Sequence, residues 1–393
     1  MDRKETLSIT VSLSACLLLG GCAAAPNVTA TPAAVPVAAP VTPTPPVQPG
    51  PGARAATVFT MTNSANGNSV LAFARAADGS LSLAGSYPTG GRGTGGGLGN
   101  QAALAFSTDR KLLYVVNAGS DDFTVFQIGS AGLTLASRTP AGGARPISIA
   151  EHNGVAYVLD LNSSSGADGV DSISGFRIDG AGQAVAIPNS TRPLSTRSTQ
   201  AAQVALAPDG SVILVTERGT AIIDAYPLDS SGVPAAQPVL NRSVGAIPFG
   251  FQFLDASHVL ISEEGTNATS SYAVSPTGAL TPISRSVPAL QSAVCWLAIS
   301  PDRRFAFTGN TTGSSVSGYA VRSDASVALL LPGGLSATTD GGALDLTFSS
   351  DGRYLYAVLT NGTLETFLVD GNGGLSKVQS VPALGSINGV ISL

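Results

Sequence analysis

The sequence predicts an all-β fold, a seven-bladed β-propeller. It has four antiparallel strands per blade and is closed by the C-terminal strand completing the N-terminal blade. Three observations carry this. First, a two-strand phrase returns along the 393-residue chain: QAALAFSTDRKLLYVVN (101–117), RPISIAEHNGVAYVLD (145–160), AAQVALAPDGSVILVTE (201–217), PFGFQFLDASHVLISE (248–263), AVCWLAISPDRRFAFTGN (293–310) and GALDLTFSSDGRYLYAVLT (342–360). Self-similarity at about 40–50 residues marks a propeller or a solenoid. Second, short apolar and β-branched runs are punctuated by Gly, Asp, Asn and Pro, with no 3.6-residue apolar period in the mature chain. Third, a seventh copy is split between the two chain ends.

Each copy follows one plan. A short apolar strand ends in a polar turn such as STDR, APDG, SPDR or SSDG, and a second strand such as LLYVV, VILVT or YLYAV follows. After a longer loop comes a third strand (FTVFQI, IIDAYPL, SVSGYAV, LETFLV), then a fourth such as LTLASRT. Four strands repeated radially make a propeller. Phe106, Ile149, Leu206, Phe253, Ile299 and Phe348 align at the end of the first strand, and Ile391 takes a seventh such place in SINGVISL. The region from Thr57 has the opposite deficit, because TVFTMT, SVLAFAR and LSLAGSY read as second, third and fourth strands. Joining the two ends closes the ring and removes open edges.

The N-terminus reads as targeting. Arg3 and Lys4 precede a mostly apolar run, Leu7 to Gly21, too short for a permanent bilayer span. Leu19-Gly20-Gly21-Cys22 resembles the lipobox of bacterial lipoproteins, which implies a signal peptide over 1–21 and lipidation of Cys22. Ala23 after the Cys, by resemblance to enterobacterial sorting, favours the outer membrane. Residues 22–56 are the lipidated Cys and a Pro/Ala-rich tether, since proline fixes φ and lacks the N–H. The expected location is the cell envelope, lipid-anchored, in the outer membrane or periplasm of a diderm bacterium. Residues 57–393 form the propeller. It retains only Cys295 of three cysteines, so it has no internal disulfide, and its length permits a core that needs none. A net charge of −5 with no basic run excludes nucleic acid as a natural partner. The chain is expected to be a monomer that takes a small molecule and meets the membrane only through its lipid.

Propeller geometry sorts the polar residues. Loops between second and third strands, and links between blades, lie on one face, here the top. Turns inside the first and third hairpins lie on the bottom. The residue closing the second strand is polar in every blade: Asn63, Asn117, Asp160, Glu217, Glu263, Asn310 and Thr360. These are expected to ring the top of the channel. Asn, Asp and Thr also start turns by bonding their own backbone. Glu does not, which makes Glu217 and Glu263 the candidate catalytic carboxylates. Such a cluster calls for a proton, a cation or an arginine, and Arg145, Arg218 and Arg92 are the top-face arginines. Glu264, beside Glu263, is expected to face water. His152 and His258 fall in bottom turns, so no Ser/His or Cys/His nucleophile system is expected, nor a His/Cys zinc set. No cofactor is required, although an oxygen-only Ca²⁺ site from Asn117, Asp160, Glu217 and Asn310 fits the residue types. Asn63, Asn117, Asp160, Asn310 and Trp296 are candidate substrate-binding residues. Cys295 reads as core. The run GGRGTGGGLGN (90–100) lacks the Lys and helix of a phosphate loop and reads as a flexible link over the top.

From residue 57 onward the chain resembles the seven-bladed β-propeller lactonase family, which includes propeller-type 6-phosphogluconolactonases and carboxymuconate cyclases. The phrases are GTGGGLGNQAALAFSTDRKLLYVVNAGS, GGARPISIA, STRPLS, QVALAPDG with LVTERGT, PFGFQF, VCWLAISPDRRFAFTGN and SSDGRYLYAV. The resemblance implies a lactonase that hydrolyses or forms a sugar or carboxymuconate-type lactone outside the cytoplasm. Family members use His, Arg and Glu on the top face, and this chain offers Arg145, Glu217 and Glu263 there without a His. Three functions stay open: a lactonase with Glu217 or Glu263 as base and Arg145 or Arg218 on the oxyanion, a non-catalytic binding propeller of the envelope, and a Ca²⁺-dependent lactonase. The first expects Glu263→Gln and Glu217→Gln to abolish turnover without lowering the melting temperature.

Overall fold

A computed structural model describes residues 58–164, 169–382 and 385–393. The signal peptide, Cys22 and the tether lie outside the described residues. Seven antiparallel sheets form the blades of the propeller. The only helical element among the described residues is a 3-10 turn, Asn162–Ser164.

Blade 1 runs from the outside inward as Leu81–Pro88, Ser69–Arg75, Val58–Met61 and the C-terminal Asn388–Ser392. Val58 pairs with Ser392 and Phe59 with Ile391, so the last strand closes the first blade as the split repeat predicts. The inner strands of blades 2 to 7 are Leu104–Phe106, Pro146–His152, Ala201–Leu206, Pro248–Asp255, Val294–Ile299 and Ala343–Phe348. Blades 3 and 6 break their outer strand into two short pieces, Ala184–Ala186 with Arg192–Pro193 and Val327–Leu329 with Ala337–Thr338. In blade 3 the ladder sets Glu151, not Ile149, level with Leu206, because Pro146 pairs Asp160 as Ala201 pairs Glu217. That two-residue offset keeps each side chain on its face.

The strands alternate apolar residues into the gaps between blades. Fully buried tyrosines recur on the middle strands (Tyr114, Tyr157, Tyr226, Tyr272, Tyr319 and Tyr356). Several tie neighbouring segments: Tyr157 donates to the Gly232 carbonyl at 2.6 Å, Tyr226 to the Pro193 carbonyl at 2.6 Å, and Tyr272 accepts from the Val244 N–H. Each buried ring of this size contributes about 1.5–3 kcal/mol, and in these three the hydroxyl is satisfied, whereas that of Tyr356 has no partner among the described residues.

Inner strands present an unpaired edge to the channel, and buried backbone groups must find partners. A bulge near the top of the inner strand turns one side chain toward the next blade, between Pro146 and Ser148, Ala201 and Gln203, Pro248 and Phe251, and Ala343 and Asp345. Ser148 accepts from Val204 N–H, and Gln203 clasps both backbone groups of Phe251 at 2.7 and 2.9 Å. Gln252 accepts from Ile299 N–H at 2.7 Å, and Asp345 from Val390 N–H at 3.1 Å. These contacts lace the inner strands into a belt.

The turns after the inner strands share a left-handed residue, with φ of 57° at Arg110, 72° at Gly210, 61° at Arg303 and 70° at Gly352. Glycine takes that conformation freely, whereas an L side chain costs about 1–2 kcal/mol there. Blades 2 and 6 carry arginine at the strained place.

Candidate functional site: the closed top and the central channel

The polar residues closing the second strands are mostly spent on local hydrogen bonds. All six from Asn63 to Asn310 are fully buried, and five of them are bonded within their own surroundings. Glu263 Oε1 accepts from Gly245 N–H at 2.9 Å and Ser270 Oγ at 2.6 Å, while Oε2 accepts from Thr266 and Ser286 hydroxyls. Glu217 accepts from Ser195 N–H at 3.0 Å and from the Ser195 and Thr220 hydroxyls. Asn117 binds Asn68, Thr89, Asp122 and Thr124, Asn310 donates to Ser315 and Ser317, and Asn63 donates to Thr94 and the Gly96 carbonyl. A common rule emerges. The strand-end residue bonds the side chain seven positions on, as in Asn117–Thr124, Glu263–Ser270 and Asn310–Ser317. In blades 2, 4 and 5 it also holds the incoming link. These side chains are brackets that fasten the top loops. Thr360 plays the same part in blade 7 by accepting from Gly342 N–H.

Glu217 shares its bracket with Asp224, likewise seven positions on and fully buried. Burial and the adjacent Glu217 raise the Asp224 carboxyl well above the usual range, since two neighbouring carboxylates cannot both ionise out of water. Asp160 differs from the rest. Both its oxygens are buried without a hydrogen-bond partner among the described residues, and burial, with Asp121 nearby, raises its carboxyl well above the usual range. Of the four oxygen ligands considered for Ca²⁺, Asn117 and Glu217 are occupied by local hydrogen bonds, while the Asp160 oxygens and Asn310 Oδ1 are buried without a partner among the described residues. No group of three or more His, Cys, Asp or Glu side chains among the described residues could hold a metal ion.

Of the arginines, Arg145 has a half-buried side chain whose Nε lacks a partner. Arg218 lies over the Phe249 ring at 5.0 Å and pairs with Glu264 at 3.6 Å, so Glu264 faces that guanidinium as well as water. Arg92 is exposed on the top face. Trp296 is buried edge-on against Phe249 at 4.9 Å. Cys295 is buried, and burial pushes its thiol up to about 12, so it is an unreactive core residue. His152 and His258 stand in bottom-face turns, where His258 Nδ1 meets Asp255 at 3.0 Å.

The glycine-rich link explains why the top is closed. Gly91 and Gly93 lie so near Asn117 and Asn63 that a Cβ would fall within 2.4 Å of their atoms. The link then turns inward as a plug. Leu98 is buried and its N–H donates to Asn388 Oδ1 at 3.2 Å, Asn100 donates to the Ile147 carbonyl, and Trp296 Nε1 donates to the Asn100 carbonyl at 2.7 Å. Gln101 clasps Leu297 on the far side, donating at 2.7 Å and accepting at 3.1 Å.

Below this plug a cavity of about 490 Å³ follows the propeller axis. Its wall runs from Gln101 down past Gln203, Gln252, Asp345 and Phe348 to the exposed turn residues Arg110, Pro208 and Arg303. It therefore opens on the bottom face. Asp345 is its one carboxylate. Burial raises that group to about 7, against the opposing effect of the Leu346 and Val390 N–H groups it accepts from. Gln252, on the cavity wall, spends its carbonyl on Ile299 N–H, and its amide NH₂ has no partner among the described residues. The sequence did carry a signal for Asp345: an Asp in the apolar strand ALDLTF is out of place by β-propensity.

No protein-family model matches the chain, and no curated protein matches it in sequence. Solved structures with the same fold are numerous. A Lactobacillus plantarum protein superposes with TM-score 0.69 at 17% identity, over 87% of this chain and 100% of its own. The periplasmic gluconolactonase of Pseudomonas aeruginosa gives 0.66 at 17% identity, over 86% of this chain and 99% of its own. A Bacteroides fragilis protein provisionally named 6-phosphogluconolactonase gives 0.66 at 16%, over 86% and 98%. The structural neighbours of this chain are thus 6-phosphogluconolactonase-like seven-bladed β-propellers, and at such identities the likeness is one of fold.

Proposed function

We propose that the protein is a lactonase-like propeller enzyme that opens or closes a small lactone in its central channel, with Asp345 as the group that exchanges the proton. The observation that carries this reading is the 490 Å³ cavity walled by a single buried carboxyl titrating at about 7. Its size suits one small ring compound, and a base poised near neutrality is the efficient one. In the hydrolytic direction, Asp345 as carboxylate takes a proton from water as the oxygen attacks the acyl carbon. The Gln252 amide donates to the oxyanion. The C–O bond to the ring oxygen breaks, and the proton on Asp345 passes to the departing alkoxide. Glu217 and Glu263 are assigned in this reading to holding links. The neighbours named as lactonases support it, and the signal-like N-terminus with Cys22 supports an envelope location.

The test is proton release by the full chain across a panel of sugar, aromatic and aliphatic lactones. Turnover is expected to rise with pH through about 7. Asp345→Asn should lower it about 10²–10⁴-fold with the fold retained. Equal turnover in the Asn protein would remove Asp345 from the mechanism. A second reading, a non-catalytic binding propeller, is favoured by the closed top and the fully occupied Glu263. Absence of turnover on every lactone by folded protein would select it.

A further inference from the structure

The repeat allows one interface between blades to be compared with the next, and one of them is incomplete. Tyr157 is the third residue of Val155–Asp160, and its hydroxyl donates at 2.6 Å to the Gly232 carbonyl in the outer bottom turn of blade 4. Tyr114 holds the same third place in Leu112–Asn117. The turn beside it in blade 3, Asp179-Gly180-Ala181-Gly182, matches Asp229-Ser230-Ser231-Gly232. In each, the glycine N–H donates to the aspartate carbonyl, with the glycine at φ 83° or 75°. The Gly182 carbonyl, however, is already taken by Ser137 Oγ at 2.6 Å. Tyr114 is 1% exposed, and its hydroxyl has no hydrogen-bond partner among the described residues.

A cavity of about 400 Å³ lies where that bond is missing. It opens on the bottom face between blades 2 and 3. Its floor is Leu112, Tyr114 and Ile178, all buried, and a Cβ on Gly180 at its edge would meet nothing within 4 Å. Asp109, Glu151 and Asp179 stand around it, against one lysine, Lys111, which pairs with Asp109 at 3.0 Å. Glu151 accepts from Thr108 and from Gly154 N–H, and Asp179 accepts from Ala181 and Gln183 N–H through Oδ1 alone. Neither has a cation partner among the described residues. The nearby cations serve other places: Arg177 donates to the Ser231 carbonyl of blade 4, Arg110 lines the central cavity, and His152 acts on Asp209. The charges of Glu151 and Asp109 reach the phenol. Burial first, then these two carboxylates, raise Tyr114 above its ordinary range, so it stays a neutral hydroxyl.

We propose that this cleft binds a small organic ammonium compound, its cation held by Asp179, Glu151 and the Tyr114 hydroxyl and its apolar body against Leu112 and Ile178. An ammonium group brings several donors and no acceptor, which suits two carboxylates and a phenol oxygen. An anion there would face like charges. The site is separate from the central channel and stands whether or not the channel is catalytic.

The experiment is titration calorimetry on the full chain with pentylammonium, pentanoate and pentanol, near neutral pH. Pentylammonium should bind saturably, and more tightly than the other two. Tyr114→Phe should weaken it about tenfold, the loss of one hydrogen bond to a charged group. Asp179→Asn keeps the Oδ1 that caps the turn and should weaken it about threefold, as for an exposed ion pair. Asp229→Asn, the matching residue of blade 4, should bind normally. Thermal melting supplies a readout that needs no ligand: Tyr157→Phe should melt below the unaltered protein, whereas Tyr114→Phe should not. No saturable binding of pentylammonium, pentanoate or pentanol binding as tightly, or unchanged affinity in Tyr114→Phe or Asp179→Asn would each overturn the proposal. Equal loss of melting temperature in the two Phe variants would do so as well, because the Tyr114 hydroxyl would then be spent on the fold.

Discussion

Raising the pH from 5 to 8.5 should lower the melting temperature of this protein, opposite to the usual acid lability of salt-bridged domains. The cause is a set of carboxyl groups buried without a cation. Asp345 is raised from 3.8 to about 7 by burial, and Asp224 and Asp160 are raised by burial and by the carboxylates beside them. The folded state holds these protons where the unfolded chain has released them. Their stabilisation is full below about pH 4 and is lost as pH rises toward and through 7, with Asp224, raised to about 8, extending the loss upward. For Asp345 alone the difference is on the order of 4 kcal/mol, at ~1.4 kcal/mol per pH unit. The exposed carboxyls that are lowered, such as Asp109 and Asp340 at about 2, have finished titrating below this window. Calorimetric melting against pH checks the claim. Asp224→Asn and Asp345→Asn should each flatten the slope, and a wild-type curve that is level or rising from 5 to 8.5 would show the carboxyls to be paired in solution.

Glu263→Ala should destabilise the fold by about 4 kcal/mol, and Glu263→Gln by about 2 kcal/mol, in denaturant unfolding. Four donors converge on this carboxylate, from Gly245, Ser270, Thr266 and Ser286. Alanine strands them all in a buried site. Glutamine keeps one oxygen for the Gly245 N–H, which cannot reverse its polarity, and lets the hydroxyls rotate toward its amide. A catalytic glutamate gives the opposite pattern, lost turnover at unchanged stability, so the two roles separate in one pair of measurements. The bracket also explains Gly245: a Cβ there would lie 2.0 Å from Glu263 Oε2.

Much of the architecture was legible because blade structure is local. A period-two apolar pattern and a turn every few residues mark strands, and the phrase repeat with its split seventh copy marks ring closure by Asn388–Ser392. The site was less legible. Glu217 and Glu263 stood out as carboxylates foreign to a strand end, and each does have special partners. Those partners arrive from inter-blade links and, for Ser286, the outer strand, some 18 to 23 residues upstream or downstream, which no periodicity reveals. Asp345 carried a local signal, an acidic residue in the middle of the apolar inner strand ALDLTF, but its meaning depends on the cavity beside it.

Blade number, strand order and the sorting of loops onto two faces follow from the chain alone, since they depend on alternation and turns within a few residues. Which end of the channel is open does not. That was decided by Gln101 clasping Leu297 across 196 residues and by Trp296 donating to Asn100, contacts that exist only once seven blades have closed into a ring. Side-chain packing across the axis is a long-range property, and it sets Asp345 on the wall of the channel beneath the plug.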